Sequence, residues 1–399
     1  MIGNYRRMRK TLSVHVLFTA LVLLAFSCSE KKNRRIVLKP QAVIKEEIIA
    51  AIPVVVPSEK TNIVDSFFTA ISQQNDFNGT VLVTVKDQVI YKKAFGYANF
   101  KTKDALTENS IFQLASVSKQ FTAVSIMMLH EQGLLNYSDD VTKFFPDFPY
   151  KGITVKLLLS HRSGLPNYMY FCDEFYKDKH IALTNSGMMS LMIRNKPPEY
   201  FPPDKKFNYC NTNYCILAAI VEKVSNQSFA SFVTERIFKP VGMHYSFIGN
   251  QDSAKYAQYV ADGHDESNKP IKWDYMDGIL GDKGVFSCVN DLNKWDFALY
   301  SGKLIRESTL AEAMQPANSD MIGSRNYGYG WRIKFLADKT PLFYHGGWWK
   351  GYNTYFMRNP KDHSSIIILS NKVNWSFNSI TTFISRFYNQ KPTKEIETI

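Results

Sequence analysis

Cysteine is scarce in this 399-residue chain, with five residues at positions 28, 172, 210, 215 and 288. So few in so long a chain make no disulfide framework, and burial has to stabilise the core. Cys210 and Cys215 lie five apart. On one helix their Cα atoms would stand roughly 8–9 Å apart, too far to bridge, so free thiols are expected. The N-terminal apolar run, Val14 to Phe26, is shorter than the roughly 20 apolar residues of a typical transmembrane helix. The eight histidines show no zinc-like spacing, and no metal or organic cofactor is expected. The net charge is +12, but more than half of the excess lies in the first 58 residues. The body carries neither a basic run nor an aromatic-basic module, which excludes nucleic acid as a partner. Internal repeats and low-complexity segments are absent as well.

What is present, 45% apolar and 14% aromatic residues, requires a folded globular body. Arg6, Arg7, Arg9 and Lys10 precede the apolar run, and Ala25 and Ser27 flank Phe26 just before Cys28. That order is a signal-peptide pattern. It resembles a bacterial lipoprotein signal in which Cys28 is lipidated, although Phe26 and the lack of Leu three residues before Cys28 depart from the commonest form. A plain secretory signal or an uncleaved anchor are the alternatives. All three imply export to the cell envelope or periplasm, and the first implies attachment to a membrane through an N-terminal lipid. The organisation expected is a signal over 1–28, a tether over 29–60, a body over 61–390 and a tail over 391–399.

Within the body, Ile63, Val64, Phe67, Phe68 and Ile71 recur at helical spacing, and Thr80 to Ala94 alternates as two strands about Lys86-Asp87. Val117 to Gly133 reads as a helix with Phe121, Val124, Met128 and Leu129 on one face and Gly133 as its stop, which places Ser116 in its first turn. Residues 140–240 read as mainly helical. Strand patterns return at Gly328–Phe335, Leu342–His345, Asn353–Arg358 and Ser364–Ser370, followed by a helix over Ser376–Tyr388. The fold class predicted is α/β (α+β): an antiparallel sheet built from N- and C-terminal segments and flanked by helices, with an inserted, mostly helical subdomain and a cleft at the junction.

Ser116-Val117-Ser118-Lys119 opens the apolar helix, with Tyr209-Cys210-Asn211 and His345-Gly346-Gly347 downstream. A serine hydroxyl is a poor nucleophile until a neighbour takes its proton, and three residues of helix bring Lys119 to the face of Ser116. A lysine serves as base where burial or a nearby cation favours its neutral form, and a phenol such as Tyr209 can share the proton. Asn211 is placed to hold Lys119 and a substrate amide. The oxyanion needs backbone N–H donors, here from Ser116 and from the strand carrying His345, Gly346 and Gly347. Each piece alone is weak: Ser-x-x-Lys recurs at Ser29–Lys32 and Tyr-x-Asn at Tyr97–Asn99. Their order is the specific signal.

With these three motifs the chain resembles the serine β-lactamase and penicillin-binding-protein superfamily, in the branch of class C β-lactamases, D-alanyl-D-alanine carboxypeptidases, D-aminopeptidases and related esterases. The likeness runs from about Asn78 to Ser370 and includes Ile153 to Pro166, Phe207 to Asn211, Pro240 to Met243 and Gly281 to Ser287. The resemblance implies a β-lactamase/transpeptidase-like fold and an acyl-enzyme on Ser116. It gives Lys119 and Tyr209 the role of moving the serine proton, while Asn211, His345 and Gly347 line the substrate and oxyanion side. By position in the family, the N–H groups of Ser116 and Trp348 are the oxyanion donors, and His161 and Gly164 are scaffold.

Two residues depart from the commonest pattern: Cys210 stands where a small Ser or Ala is frequent, and His345 replaces the lysine of most β-lactamases. A neutral histidine binds a carboxylate more weakly than a lysine does, so β-lactam hydrolysis is expected to be minor or absent. Lys350 or Arg332 is a candidate for the missing charge, and Trp348 and Trp349 for an aromatic wall of the cleft, with core packing the alternative for at least one. The expected activity is hydrolysis of D-amino-acid-containing peptides or small esters, with peptidoglycan among the possible substrates. The alternatives are a slowly acylating or non-catalytic binding or sensing protein on the same fold, and a β-lactamase.

Overall fold

The computed structural model describes residues 58–74, 77–250, 253–318, 325–373 and 377–388. The expected signal, Cys28, nearly all of the tether and the tail over 391–399 lie outside these residues.

Helix α1 (Glu59–Gln73) begins two residues before the predicted body, capped by the Ser58 hydroxyl, which accepts from Thr61 N at 3.2 Å. The hairpin follows as predicted: β1 (Gly79–Val85) and β2 (Gln88–Phe95) join through Lys86 and Asp87, both at positive φ as a two-residue hairpin turn requires. Short strands β3 (Tyr97–Asn99) and β4 (Asp104–Ala105) pair with each other. β5 (Phe112–Gln113), β6 (Phe247–Ile248) and β7 (Val285–Ser287) form a second small sheet. The C-terminal strands are β8 (Arg325–Tyr327), β9 (Arg332–Phe335), β10 (Pro341–Trp349), β11 (Tyr352–Asn359) and β12 (Ser364–Ser370).

The large sheet is antiparallel throughout, in the order β2-β1-β12-β11-β10-β9-β8. An N-terminal and a C-terminal strand meet within it, β1 against β12, where Gly79 pairs with Ser370 and Thr84 with Ser365. One face packs on α1 and on the closing helix Phe377–Phe387, with Val64, Phe68, Phe383 and Ile384 set against Val81, Val83, Ile366 and Ile368.

The inserted helices include α2 (Lys119–Glu131), α3 (Tyr168–Phe175), α4 (Asn185–Asn195) and α5 (Asn211–Ser225), with α5 in contact with each of the other three. α2 was expected to bury one face; instead every residue from Lys119 to Leu129 is buried. α5 packs on one side of it, and Trp295, from the helix Val289–Tyr300, stacks on Phe121 at 4.4 Å. A helix enclosed on all sides hides its polar residues too: Gln120 Oε1 accepts from the Trp295 indole N–H at 3.2 Å, while the Gln120 amide NH2 has no hydrogen-bond partner among the described residues.

Candidate active site

Ser116 does not sit in the first turn of α2. It lies in a 3-10 turn, Ala115–Ser118, that leads into the helix. Ala115, fully enclosed, is held at φ 48°, a left-handed conformation costly for a residue with a Cβ. The predicted spacing nevertheless brings the two groups together: Lys119 Nζ donates to Ser116 Oγ at 3.1 Å. Nζ also donates to Asn211 Oδ1 at 2.9 Å and to the Asp282 carbonyl at 2.9 Å. Lys119 is fully buried yet has an oxygen for each of three N–H bonds, and two of those oxygens are carbonyls rather than carboxylates.

Asn211 opens α5, and its amide NH2 donates to the Met169 sulfur at 3.3 Å, a weak acceptor that a substrate carbonyl can replace. Tyr209 lies two residues earlier. Its ring centroid is 4.9 Å from Lys119 Nζ and 5.0 Å from the Arg332 guanidinium carbon. Among the described residues no hydrogen bond joins its hydroxyl to Ser116 or Lys119. The turn that presents Tyr209 is fixed from behind, because Cys210 N–H donates to His161 Nδ1 at 3.2 Å. The buried His161 therefore carries its proton on Nε2, and its ring centroid lies 4.4 Å from that of Tyr209.

The third motif lies on β10. β9 pairs with β10 only as far as Tyr344, so His345–Trp349 has β11 on one side and, among the described residues, no strand on the other. Gly347 passes directly over the Ala115–Ser118 turn; a Cβ there would strike Leu114 O and the Thr354 hydroxyl and lie 3.0 Å from Ser116 N. Thr354 Oγ1, on β11, donates to Leu114 O at 2.6 Å and fastens turn to sheet.

His345 departs from the expectation that it faces substrate. It is 1% exposed, its Nε2 meets the Tyr327 hydroxyl at 3.2 Å, and its Nδ1 meets Gly346 O at 2.6 Å. Burial first, then the positive charges of Arg332 and Lys119, hold its pKa well below the usual histidine range. His161 is depressed in the same way by burial, with Lys119 the next cause. Both rings are neutral and enclosed by their neighbours. The tryptophan pair divides: Trp348 is 50% exposed, whereas Trp349 is buried and donates to Asp277 Oδ1 at 2.5 Å.

Of the two candidate cations, Lys350 is engaged with Asp274 at 3.0 Å. Arg332 has no carboxylate within ion-pairing distance among the described residues. The four body cysteines are free thiols, as expected, but for another reason: Cys210 precedes α5 as its N-cap residue instead of sharing the helix with Cys215. Sequence reasoning missed Met169, Tyr327 and the Asp282 carbonyl. The first two lack any motif, and a carbonyl belongs to every residue and leaves no mark in composition.

A family model described as Beta-lactamase matches residues 64–386. The chain is 36% identical over 322 residues to penicillin-binding protein 4* of Bacillus subtilis (strain 168), covering 77% of this chain and 71% of that protein. It is 27% identical to protein flp of Staphylococcus aureus (strain MRSA252), over 77% of this chain and 62% of flp, less than two thirds of its length. Among solved structures, the octameric penicillin-binding protein homologue from Pyrococcus abyssi superimposes with a TM-score of 0.72 at 24% identity, covering 85% of this chain and 79% of that one. The D-amino acid amidase from Ochrobactrum anthropi SV3 complexed with L-phenylalanine gives 0.71 at 20% identity, over 83% and 98%. At these identities the two structures speak for the fold alone.

Proposed function

The chain belongs to the beta-lactamase family of serine hydrolases, and from that premise we propose that it is a serine acyl-transfer hydrolase acting through Ser116 on D-amino-acid-containing peptides or small esters. One observation carries the proposal: Lys119 Nζ lies 3.1 Å from Ser116 Oγ while Asn211 Oδ1 and the Asp282 carbonyl accept its other N–H bonds. In the form that acts as base, the amine keeps its two hydrogens on those two carbonyls. Its lone pair then has only the Ser116 O–H to face. The serine oxygen attacks the substrate carbonyl as its proton passes to Lys119, and the backbone N–H groups of Ser116 and Trp348 receive the oxyanion. Tyr209 stands beside Lys119 to relay the proton to the leaving amine or alcohol. Water then takes the place of the leaving group and releases the acid.

For substrate class, Arg332 lies over the Tyr209 ring and has no ion-pair partner among the described residues, whereas His345 is neutral and Lys350 is paired with Asp274. This supports substrates that end in a free carboxylate. The open edge of β10 offers main-chain hydrogen bonds to an extended peptide, and the exposed Trp348 offers an aromatic wall. Export through residues 1–28, with lipid attachment at Cys28, belongs to the same proposal and would place the enzyme at the envelope beside peptidoglycan. Its support is the basic, apolar and small-residue order before Cys28.

Intact-mass analysis of the full chain after exposure to a fluorophosphonate, and separately to a penicillin, tests the proposal against Ser116→Ala. The expected result is a phosphonyl adduct on the parent and none on the variant, with a penicilloyl adduct weak or absent. No adduct from either reagent would make the protein a binder on a hydrolase fold. In the same assay series Arg332→Ala is expected to slow hydrolysis of a carboxylate-terminated peptide about ten- to a hundredfold, and of its amidated form little. Equal effects on both would remove Arg332 as the carboxylate partner.

A further inference from the structure

Lys283 and Asp282 form an ion pair buried behind the reacting groups. They are 3% and 2% exposed, with Lys283 Nζ 3.7 Å from Asp282 Oδ1. Tyr168, fully buried at the start of α3, joins them: its hydroxyl donates to Asp282 Oδ2 at 2.9 Å and accepts from Lys283 Nζ at 2.6 Å. Nζ also donates to Ile279 O at 3.1 Å and stands 4.9 Å from the Trp349 ring centroid. Burying two charges costs several kcal/mol per ion, and apolar side chains of similar volume are often at least as stable. Stability alone is therefore a poor reason for this pair, the more so because Asp282 Oδ1 has no hydrogen-bond donor among the described residues.

What the pair holds is a backbone rail. Along residues 281–285, Gly281 O accepts from the Thr122 hydroxyl at 2.7 Å and Asp282 O accepts from Lys119 Nζ at 2.9 Å. Val285 N donates to Ser118 Oγ at 3.1 Å, and Val285 O accepts from Leu114 N at 2.8 Å. Four bonds thus run beside the catalytic turn and the first turn of α2. Gly281 and Gly284 bracket the Asp-Lys pair at φ 105° and 99°, so the rail's own backbone is permissive and something else has to hold its course. The anchors lie on its far side: Tyr168 on α3, and Trp349 at the end of the strand that crosses Ser116.

We propose that Lys283, acting through Asp282 and Tyr168, is a positioning residue for acyl transfer, fixing the rail whose Asp282 carbonyl holds Lys119 against Ser116. This rests on the reading of Ser116 as nucleophile. Lys283 touches no substrate, so its loss acts on the acylation step and leaves ground-state binding in place.

The test measures fluorophosphonate labelling rates by intact mass, and kcat and KM on a small chromogenic ester, for the full-length parent, Lys283→Met and Tyr168→Phe. Lys283→Met is expected to remain folded by circular dichroism and to lose about ten- to a hundredfold in labelling rate and kcat, the scale of a slight misplacement of reacting groups. Its KM should stay within about threefold. Tyr168→Phe, which keeps the ring and removes only the shared hydroxyl, should shift kcat in the same direction by a smaller factor. A folded Lys283→Met labelled within about twofold of the parent overturns the proposal. If Lys283→Met does not fold, Tyr168→Phe decides alone, and parent-like labelling of that variant overturns it equally. A parent that takes no label sinks the Ser116 reading instead, and the proposal with it.

Discussion

At the scale of single residues, the contact between Ser116 and Lys119 was legible because acyl transfer calls for these residue types at this spacing. Ser116 and Lys119 are three apart on a helical turn, and Asn211 has to reach the same amine. What could not be read is how the side chains behind them are packed. His345 was expected toward substrate because motif position says nothing about which face of the strand is covered. Its neutrality has a consequence for stability. The folded pKa lies well below the ordinary histidine value near 6.5, so above that pH both folded and unfolded forms are neutral and the ring contributes no pH dependence. Below it the unfolded chain takes up a proton that the folded chain refuses, and stability falls as pH falls, by up to about 1.4 kcal/mol per pH unit. His345→Phe removes this dependence together with the contact to Tyr327, worth about 1 kcal/mol. The variant should therefore be less stable than the parent by about 1 kcal/mol at pH 7.5, and the difference should move in the variant's favour by about 1.6 kcal/mol between pH 6.5 and 5, enough to close the gap or reverse its sign. His161 is common to both chains and cancels. Urea unfolding at pH 7.5, 6 and 5 reads the gap, and a constant one would mean that His345 is charged or wet.

At the scale of elements, helices and hairpins followed apolar period and turn chemistry closely, whereas β10 was read as ending at His345 and in fact runs to Trp349. Gly346, Gly347 and two tryptophans carry no alternation, so periodicity has nothing to detect there. The strand persists because β11 pairs with it as far as Tyr352 opposite Trp349. The 3-10 turn at Ser116 was hidden for a related reason: its course is set by β10 and by residues 281–285, both far away in sequence. Two adjacent glycines on β10 should then behave very differently. In Gly347→Ala the new Cβ meets Leu114 O, the Thr354 hydroxyl and Ser116 N together, and backbone on both sides leaves it little room to move. The expected cost is about 1–3 kcal/mol of stability and on the order of a hundredfold or more in fluorophosphonate labelling, since the turn is pushed off its oxyanion geometry. In Gly346→Ala the nearest atom is 3.9 Å away, and labelling should stay within a few fold. Similar losses in both variants would show that this crossing does not set the reactivity of Ser116.

At the scale of the molecule, the sheet joining both ends of the chain was foreseeable, since strand patterns occur before residue 95 and after 325 with helices between. The strand order was not, because pairing of β1 with β12 across more than 280 residues is a tertiary choice with no local trace. That order makes the last strand the keystone. β12 lies between β1 and β11, so without it β2-β1 and β11-β10-β9-β8 are separate sheets. The core on the far face also loses Ile366 and Ile368, and with the closing helix Ile380, Phe383, Ile384 and Phe387. Each such aliphatic or aromatic side chain contributes about 1.5–3 kcal/mol on full burial, so the six together exceed the 5–15 kcal/mol by which whole domains are stable, at the upper end of the first range and the lower end of the second. A chain ended after Pro360 still contains Ser116, Lys119, Tyr209, Asn211 and Gly347, every residue placed at the reacting centre. It should nonetheless be protease-sensitive and take no fluorophosphonate label, because β11, deprived of β12, cannot hold β10 over the catalytic turn. Adding residues 361–399 as a separate peptide should recover part of the labelling if the missing strand is the reason. A truncated chain that resists protease and labels like the parent would show that the site is assembled by the helical layer alone.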